Sequence, residues 1–274
     1  MTEKWITEKL LDFITKSIQY QEILVDEKSD FQHIQVIRTN YFGKILLLDG
    51  VIQLTELDNA AYHEMIVHIP MLVKDNPEKI LIVGGGDGGA LQQVLKYHSV
   101  KHITVCEIDE RVVELCSEHF PNFGNPFNDN KVQLIIQDAF EYLKTEEDNF
   151  DVIIADTTDP NNEAEKLFTE EFYRLMVNAL ISDKGVISAQ CENLYFNSEL
   201  IIKMMSIAKN LVQNPAYYHT LVPTYPGGGI GFMYISNIHW KISLDKPYPG
   251  NMDYLNREIH EAAFALPEFI RRKL

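Results

Sequence analysis

The rhythm of apolar positions changes near residue 60. Before it, short runs rich in Ile, Val, Leu and aromatics occupy 18–25, 31–38, 45–48 and 51–54, with polar or glycine-bearing connectors between them. Runs of that length bounded by turn residues predict β-strands. Asp49-Gly50 lies between the last two runs. That dipeptide suits the left-handed residues of a two-residue hairpin. A small antiparallel β-domain is therefore expected over 1–58, with 1–17 readable as either helix or strand.

Beyond residue 60, helical and strand-like segments alternate. Helices are expected at 60–73, 88–97, 110–119, 170–180 and 198–211, and strands at 79–83, 103–107, 132–137, 152–155 and 186–190. Such alternation predicts an α/β domain over 59–274, a parallel sheet with helices on both faces. The runs 217–222 and 232–236 flank Pro226-Gly227-Gly228-Gly229 and predict that the sheet ends in an antiparallel pair.

Composition narrows the function. The 274 residues are 46% hydrophobic, enough for a packed core, and carry a formal net charge of −16. A surface of that sign repels phosphate backbones and anionic lipid, so neither nucleic acid nor a membrane is an expected partner. A small cationic substrate is compatible with it. The three cysteines, Cys106, Cys116 and Cys191, lack C-x-x-C spacing and suggest neither a disulfide framework nor a zinc site. Charged residues between Glu3 and Asp12 leave no apolar signal region, and no apolar run approaches the roughly 18 residues of a membrane span. The cytoplasm is the expected compartment.

Two acidic clusters carry the candidate chemistry. The strand-like Ile80-Leu81-Ile82-Val83 runs into Gly84-Gly85-Gly86-Asp87-Gly88-Gly89, a G-x-G-x-x-G pattern between a strand and a helix. Glycines such as Gly84 and Gly86 let backbone approach a ligand closely. Glu107, twenty positions after Asp87, ends the next strand, where a carboxylate can accept both hydroxyls of a ribose. Asp138 follows the third strand and is placed to accept from an adenine amino group. Asp87 separates two ligand classes: within the loop it would repel a dinucleotide pyrophosphate but attract an adenosyl sulfonium donor bearing an amine. The second cluster is Asp156-Thr157-Thr158-Asp159-Pro160, delivered by the strand at 152–155 to the sheet edge where α/β folds bind ligands. Its two carboxylates can grip a cationic amine, and one can act as a base; Asp159-Pro160 also reads as a helix N-cap followed by proline. No metal is expected. His63-Glu64 is followed by His68 one position too late for a zinc-protease helix face.

With these stretches, several others make the sequence resemble the spermidine synthase family of aminopropyltransferases: Leu48-Asp49-Gly50-Val51-Ile52-Gln53, Tyr62-His63-Glu64-Met65, Cys106-Glu107-Ile108-Asp109, Gln190-Cys191-Glu192, Pro223-Thr224-Tyr225-Pro226 and Leu266-Pro267-Glu268-Phe269. They run in the family's order over about residues 20–270. The resemblance implies a Rossmann-like, methyltransferase-type sheet and transfer of an aminopropyl group from decarboxylated S-adenosylmethionine, a co-substrate rather than a cofactor, to putrescine. It implies that Gln32, Gln53, Glu107, Asp138 and Ala139 bind the nucleoside and that Asp87 holds the aminopropyl ammonium. Asp156 is implied as general base with Tyr62 beside it. Tyr225 and Asp159 are implied to position the amine, assisted by Gln190 and Glu192, with His63 near the same site. A homodimer or homotetramer is implied as well.

Two departures concern the acceptor. Thr157 and Thr158 stand where the family usually has serines, and Asn161-Asn162-Glu163-Ala164 replaces the usual Gly-Pro. Cadaverine, agmatine and spermidine therefore remain alternative acceptors. A methyltransferase using intact S-adenosylmethionine and a non-catalytic polyamine-binding module remain alternative readings of the fold.

Overall fold

A computed structural model gives the fold and describes residues 3–123, 125–159, 162–243 and 246–274. Pro160 and Asn161, which belong to two of the motifs above, lie outside the described residues. The chain opens with an antiparallel hairpin, β1 (Lys4–Leu11) and β2 (Ile14–Tyr20). A four-stranded antiparallel meander follows: β3 (Glu22–Lys28), β4 (His33–Arg38), β5 (Lys44–Leu48) and β6 (Val51–Thr55). The undecided segment is thus strand, and the run expected at 18–25 is cut at Gln21 into the end of β2 and the start of β3. Asp49 and Gly50 turn between β5 and β6 with φ of 50° and 79°, the left-handed pair the dipeptide predicts.

The long helix α1 (Asn59–Val73) leads into the second part. There β7 (Lys79–Gly84), β8 (His102–Glu107), β9 (Val132–Ile136), β10 (Val152–Asp156), β11 (Val186–Gln190), β12 (Ala216–Leu221) and β13 (Gly229–Ser236) form one sheet. Its connections carry α2 (Gly89–Val94), α3 (Glu110–His119), α4 (Ala139–Leu143), α5 (Glu170–Asn178) and α6 (Ser198–Leu211). The chain finishes with α7 (Arg257–Ala263) and α8 (Glu268–Arg271). The helix expected at 88–97 is shorter: Gly88 caps its start in a left-handed conformation, and the helix ends at Val94 after six residues.

Across the sheet the order is β12-β13-β11-β10-β7-β8-β9, with β13 antiparallel to both neighbours and the contiguous strands from β11 to β9 parallel. This is the expected Rossmann-like sheet. One edge is the expected antiparallel pair: β12 and β13 form a hairpin in which β13 pairs with β11 and β12 lies outermost.

Alternation along the strands supplies both faces. Leu81, Val83, Ile153 and Ile187 pack toward α5 and α6, while Ile80, Ile82 and Ile154 pack toward α1 and α2. Burial on both faces explains why these strands read as unbroken apolar runs. The meander is likewise covered twice. Ile34, Val36 and Leu46 pack on Val112, Leu115 and Cys116 of α3, and Ile37, Ile45, Leu47 and Ile52 take Ile6, Ile18 and Tyr20 of the hairpin. The order of the large sheet reverses between β7 and β10, the switch point at which open α/β sheets bind ligands.

Candidate active site

A cleft of about 620 Å³ opens at that switch point, walled by the carboxyl ends of the central strands, by β5 and β6 and by Phe31 and Gln32. Backbone register fixes its centre. Asp156 at the end of β10 pairs with Gly84 at the end of β7, and the Gly85 N–H donates to the Asp156 carbonyl at 2.9 Å. A Cβ on Gly84 would overlap that carbonyl oxygen, and φ is +73°, so glycine is what lets the two strand ends meet.

The half beside the glycine loop contains Glu107, whose Oε2 accepts the Gly86 N–H at 3.1 Å and whose Oε1 accepts those of Ile108 and Asp109 at 2.8 and 3.0 Å. Burial pushes its carboxyl up to about 7 against the pull of those three donors. Asp138 N-caps α4 through the Phe140 N–H and pairs with Lys166 at 2.6 Å, so one carboxylate oxygen is shared with a lysine that sequence reasoning missed. Gln32 lines the cleft and is held by Asp109, which accepts from its amide at 2.9 Å. Gln53 and Ala139 also line it.

At the centre, Tyr62, His63, Asp87 and Asp156 come together from α1, the glycine loop and β10. The Tyr62 hydroxyl donates to Asp156 Oδ1 at 2.7 Å, while Oδ2 is buried with no hydrogen-bond partner. His63 Nε2 lies 3.2 Å from Asp87 Oδ2, and Asp87 Oδ1 accepts the Gly89 N–H at 2.7 Å. Burial and the neighbouring Asp87 charge push the Asp156 carboxyl up to about 6, against the opposing pull of His63 and of the Tyr62 hydroxyl. Burial also works against ionised Asp87, yet the His63 charge, its hydrogen bond and the Gly89 N–H hold that carboxyl below its ordinary value. His63 is correspondingly raised: burial opposes its charge, and Asp87, Asp156 and Glu64 outweigh burial. One donor atom each from His63, Asp87 and Asp156 lies within 4.8 Å of the others, a set able to hold an ammonium group or a metal ion. His68 takes no part; it faces Gln93 and Tyr97 on the far side of the helix.

At the other end are Asp159, Gln190, Glu192 and Tyr225. Gln190 donates to Asp159 Oδ1 at 3.3 Å. Burial raises both acids, and Asp159 then pushes Glu192 up to about 8 by its charge and by their shared hydrogen bond. The Tyr225 hydroxyl donates to the Gln53 carbonyl at 2.5 Å, and its ring lies 5.8 Å from that of Tyr62, so Tyr225 acts as a wall. Thr157, Thr158 and Ala164 line the same region. The proline of the Asp159-Pro160 cap reading and Asn161 fall outside the described residues. From the hairpin, Lys16 pairs with buried Glu8 and donates to the Thr224 carbonyl, next to Tyr225. No motif marks them, because the alternation of 1–17 does not separate strand from helix.

A Rossmann-like sheet with an acidic loop at its nucleoside position and a second acidic pair at its switch point defines a transferase of adenosyl-type donors to amines. The comparisons with known proteins are specific. Residues 59–245 match the spermine/spermidine synthase domain, and residues 4–56 match the spermidine synthase tetramerisation domain. Among curated proteins, the polyamine aminopropyltransferase of Leptospira biflexa serovar Patoc is 39% identical over 274 residues, covering 98% of this chain and 97% of that protein. The spermidine synthase of Dictyostelium discoideum is 39% identical over 262 residues, covering 94% and 92%. A crystal structure of spermidine synthase in complex with the transition-state analogue AdoDATO superposes with a TM-score of 0.95 at 32% identity, covering 98% of this chain and 94% of that one. The spermidine synthase of Thermotoga maritima gives 0.93 at 32% identity, with the same coverage. The chain belongs to the spermine/spermidine synthase family and is an aminopropyltransferase. The N-terminal match supports assembly into an oligomer. Among the described residues, no helix is long and apolar enough to cross a membrane.

Proposed function

We propose that the chain transfers the aminopropyl group of decarboxylated S-adenosylmethionine to putrescine, giving spermidine and methylthioadenosine. The observation that carries this reading is the Asp156 carboxylate: one oxygen is held by Tyr62, the other is buried and unpartnered, and an ionised Asp87 stands beside it. Alkylammonium groups lose their proton near pH 10.4, so at neutral pH the attacking nitrogen needs a base. Asp156 binds that ammonium and takes its proton as the nitrogen lone pair forms the new N–C bond. The C–S bond breaks with its electron pair going to sulfur, and the sulfonium becomes a neutral thioether. That leaving group requires neither acid nor metal.

The donor's ammonium is assigned to Asp87, its nucleoside to Glu107, Asp138, Ala139, Gln32 and Gln53 around the Gly84–Gly86 turn, and the acceptor's far ammonium to Asp159 with Gln190 and Glu192. Tyr62 and Tyr225 are assigned the walls beside the methylene chain. Residues 1–58 form an assembly domain and 59–274 the catalytic domain of a cytoplasmic homodimer or homotetramer, a division that the ranges of the two family matches support.

Release of methylthioadenosine from the decarboxylated donor, measured with putrescine, cadaverine, agmatine and spermidine separately, tests the proposal. Fastest release with putrescine is expected. Faster release with another amine moves the acceptor, and none with any amine overturns the reading.

A further inference from the structure

Asp109 begins α3 and does more than cap it. Its Oδ1 accepts the Arg111 N–H at 3.1 Å, the ordinary contact of a helix N-cap. Asparagine or serine would serve that contact about as well. The other oxygen serves the N-terminal strands: Oδ2 accepts the Ser29 hydroxyl at 2.6 Å and the Gln32 amide at 2.9 Å. The residue is only 2% exposed, and a buried carboxylate needs donors of this kind.

The turn between β3 and β4 is built around these contacts. Ser29 Oγ accepts the N–H groups of Phe31 and Gln32 at 3.1 Å each, and the Ser29 N–H donates to the Gln32 carbonyl at 2.9 Å. Arg111 reaches back from α3 to Glu27 of β3 at 2.5 Å. Phe31 and Gln32 are the residues of this turn that line the cleft. A carboxylate only accepts, so Oδ2 fixes which way the Gln32 amide faces. Nε2 is committed to Asp109, and Oε1 remains as the acceptor Gln32 can offer a ligand.

The backbone of the same residue touches the neighbouring acid. The Asp109 N–H donates to Glu107 Oε1 at 3.0 Å, and the Gly86 and Ile108 N–H groups donate to the same carboxylate. Three of its roughly four acceptor positions are therefore filled, and about one remains. A ribose brings two hydroxyls.

Resting on the donor reading above, we infer that Asp109 is a positioning residue: it sets the Gln32 carbonyl oxygen to accept the second ribose hydroxyl of the donor, beside Glu107. It joins the two ribose acceptors without touching the ligand itself.

Asp109→Asn isolates this role, because the introduced side chain keeps the capping oxygen and puts a donor in place of Oδ2. The Gln32 amide must then turn over and present N–H groups to the cleft. Calorimetric affinity of the full-length protein for methylthioadenosine should fall about tenfold, the scale of one lost hydrogen bond. KM for the decarboxylated donor should rise by the same factor at unchanged kcat, the mark of binding lost equally from ground and transition states. Asp109→Ser, which also keeps a capping oxygen and removes Oδ2, should match it. In a Gln32→Ala background, adding Asp109→Asn should cost nothing more. Of the 2′-deoxy and 3′-deoxy forms of methylthioadenosine, one should bind wild type and Asp109→Asn equally, because its missing hydroxyl is the one Gln32 holds. Unchanged affinity for methylthioadenosine in Asp109→Asn overturns the inference. So does a full loss in the Gln32→Ala background or with both deoxy ligands, since a merely structural residue predicts that. Wild-type protein that binds no methylthioadenosine would instead overturn the donor reading.

Discussion

The Tyr62 hydroxyl donates to Asp156 Oδ1 at 2.7 Å across 94 positions of sequence. The bond leaves Oδ2 as the free face of the carboxylate and opposes the burial that raises its proton affinity. Removing the hydroxyl by Tyr62→Phe should push the Asp156 carboxyl above its value of about 6. Activity is lost as pH falls through that value, because the protonated acid no longer takes a proton from the amine. The acid limb of the kcat/KM profile should therefore move to higher pH in Tyr62→Phe. An unmoved limb would count against Asp156 as the group it reports.

Asp156→Asn removes the base without changing the shape of the side chain. Turnover should fall by about 10²–10⁴-fold, the range of a positioned general base. Calorimetric affinity for methylthioadenosine should persist, since the nucleoside is assigned to Glu107 and Asp138.

Asp87 is held ionised by His63 and by the Gly89 N–H. Asp87→Ala should weaken the decarboxylated donor roughly ten- to a hundredfold, as expected when a charged hydrogen-bond partner is lost. Methylthioadenosine, which lacks the ammonium, should bind nearly as before. Equal weakening of both would remove the assigned contact.

Gly89 abuts the His63 ring so closely that an added Cβ would overlap it. Gly89→Ala should force the imidazole away from Asp87 and lower kcat/KM by up to about 10²-fold, the scale of small misplacements in a reacting geometry. The readout is the kinetic profile together with the His63 proton signals. This dependence was partly legible in the sequence. The glycine run announces a close approach, but nothing in it says that the approaching group is a histidine from α1, twenty-six positions earlier.

The buried acids carry a stability signature. Glu107 is raised to about 7, Glu192 to about 8, and His63 is raised as well, so the folded protein binds more protons than the unfolded chain above pH 6.5. Stability falls with pH wherever the folded state holds the extra protons. His68, His219 and His260 have lowered values, act with the opposite sign, and have finished titrating by the top of their unfolded range. The melting temperature of the ligand-free protein should therefore decline between about pH 6.5 and 8.5. Glu192→Gln should flatten that decline, and a slope unchanged in this variant would remove Glu192 as a source.

Local pattern determined the strands at 79–83, 103–107 and 152–155, the Asp49-Gly50 turn and the helix at 110–119, because burial on one or both faces dictates apolar spacing and a tight turn dictates its residues. It also placed Asp87, Glu107, Asp138 and Asp156 at strand ends, since a chain leaving a buried strand must turn there. Only the tertiary structure decided that β13 inserts between β11 and β12, and that the hairpin sets Lys16 against the Thr224 carbonyl. Proton affinities belong to that second group too. Asp87 and Asp156 are the same residue type at the carboxyl ends of adjacent parallel strands, one in the loop and one on the strand, yet one is lowered and the other raised. Asp87 is held down by the His63 charge and hydrogen bond and by the Gly89 N–H, while burial and the Asp87 charge lift Asp156; charges interact through space, a distance that the order of residues does not contain.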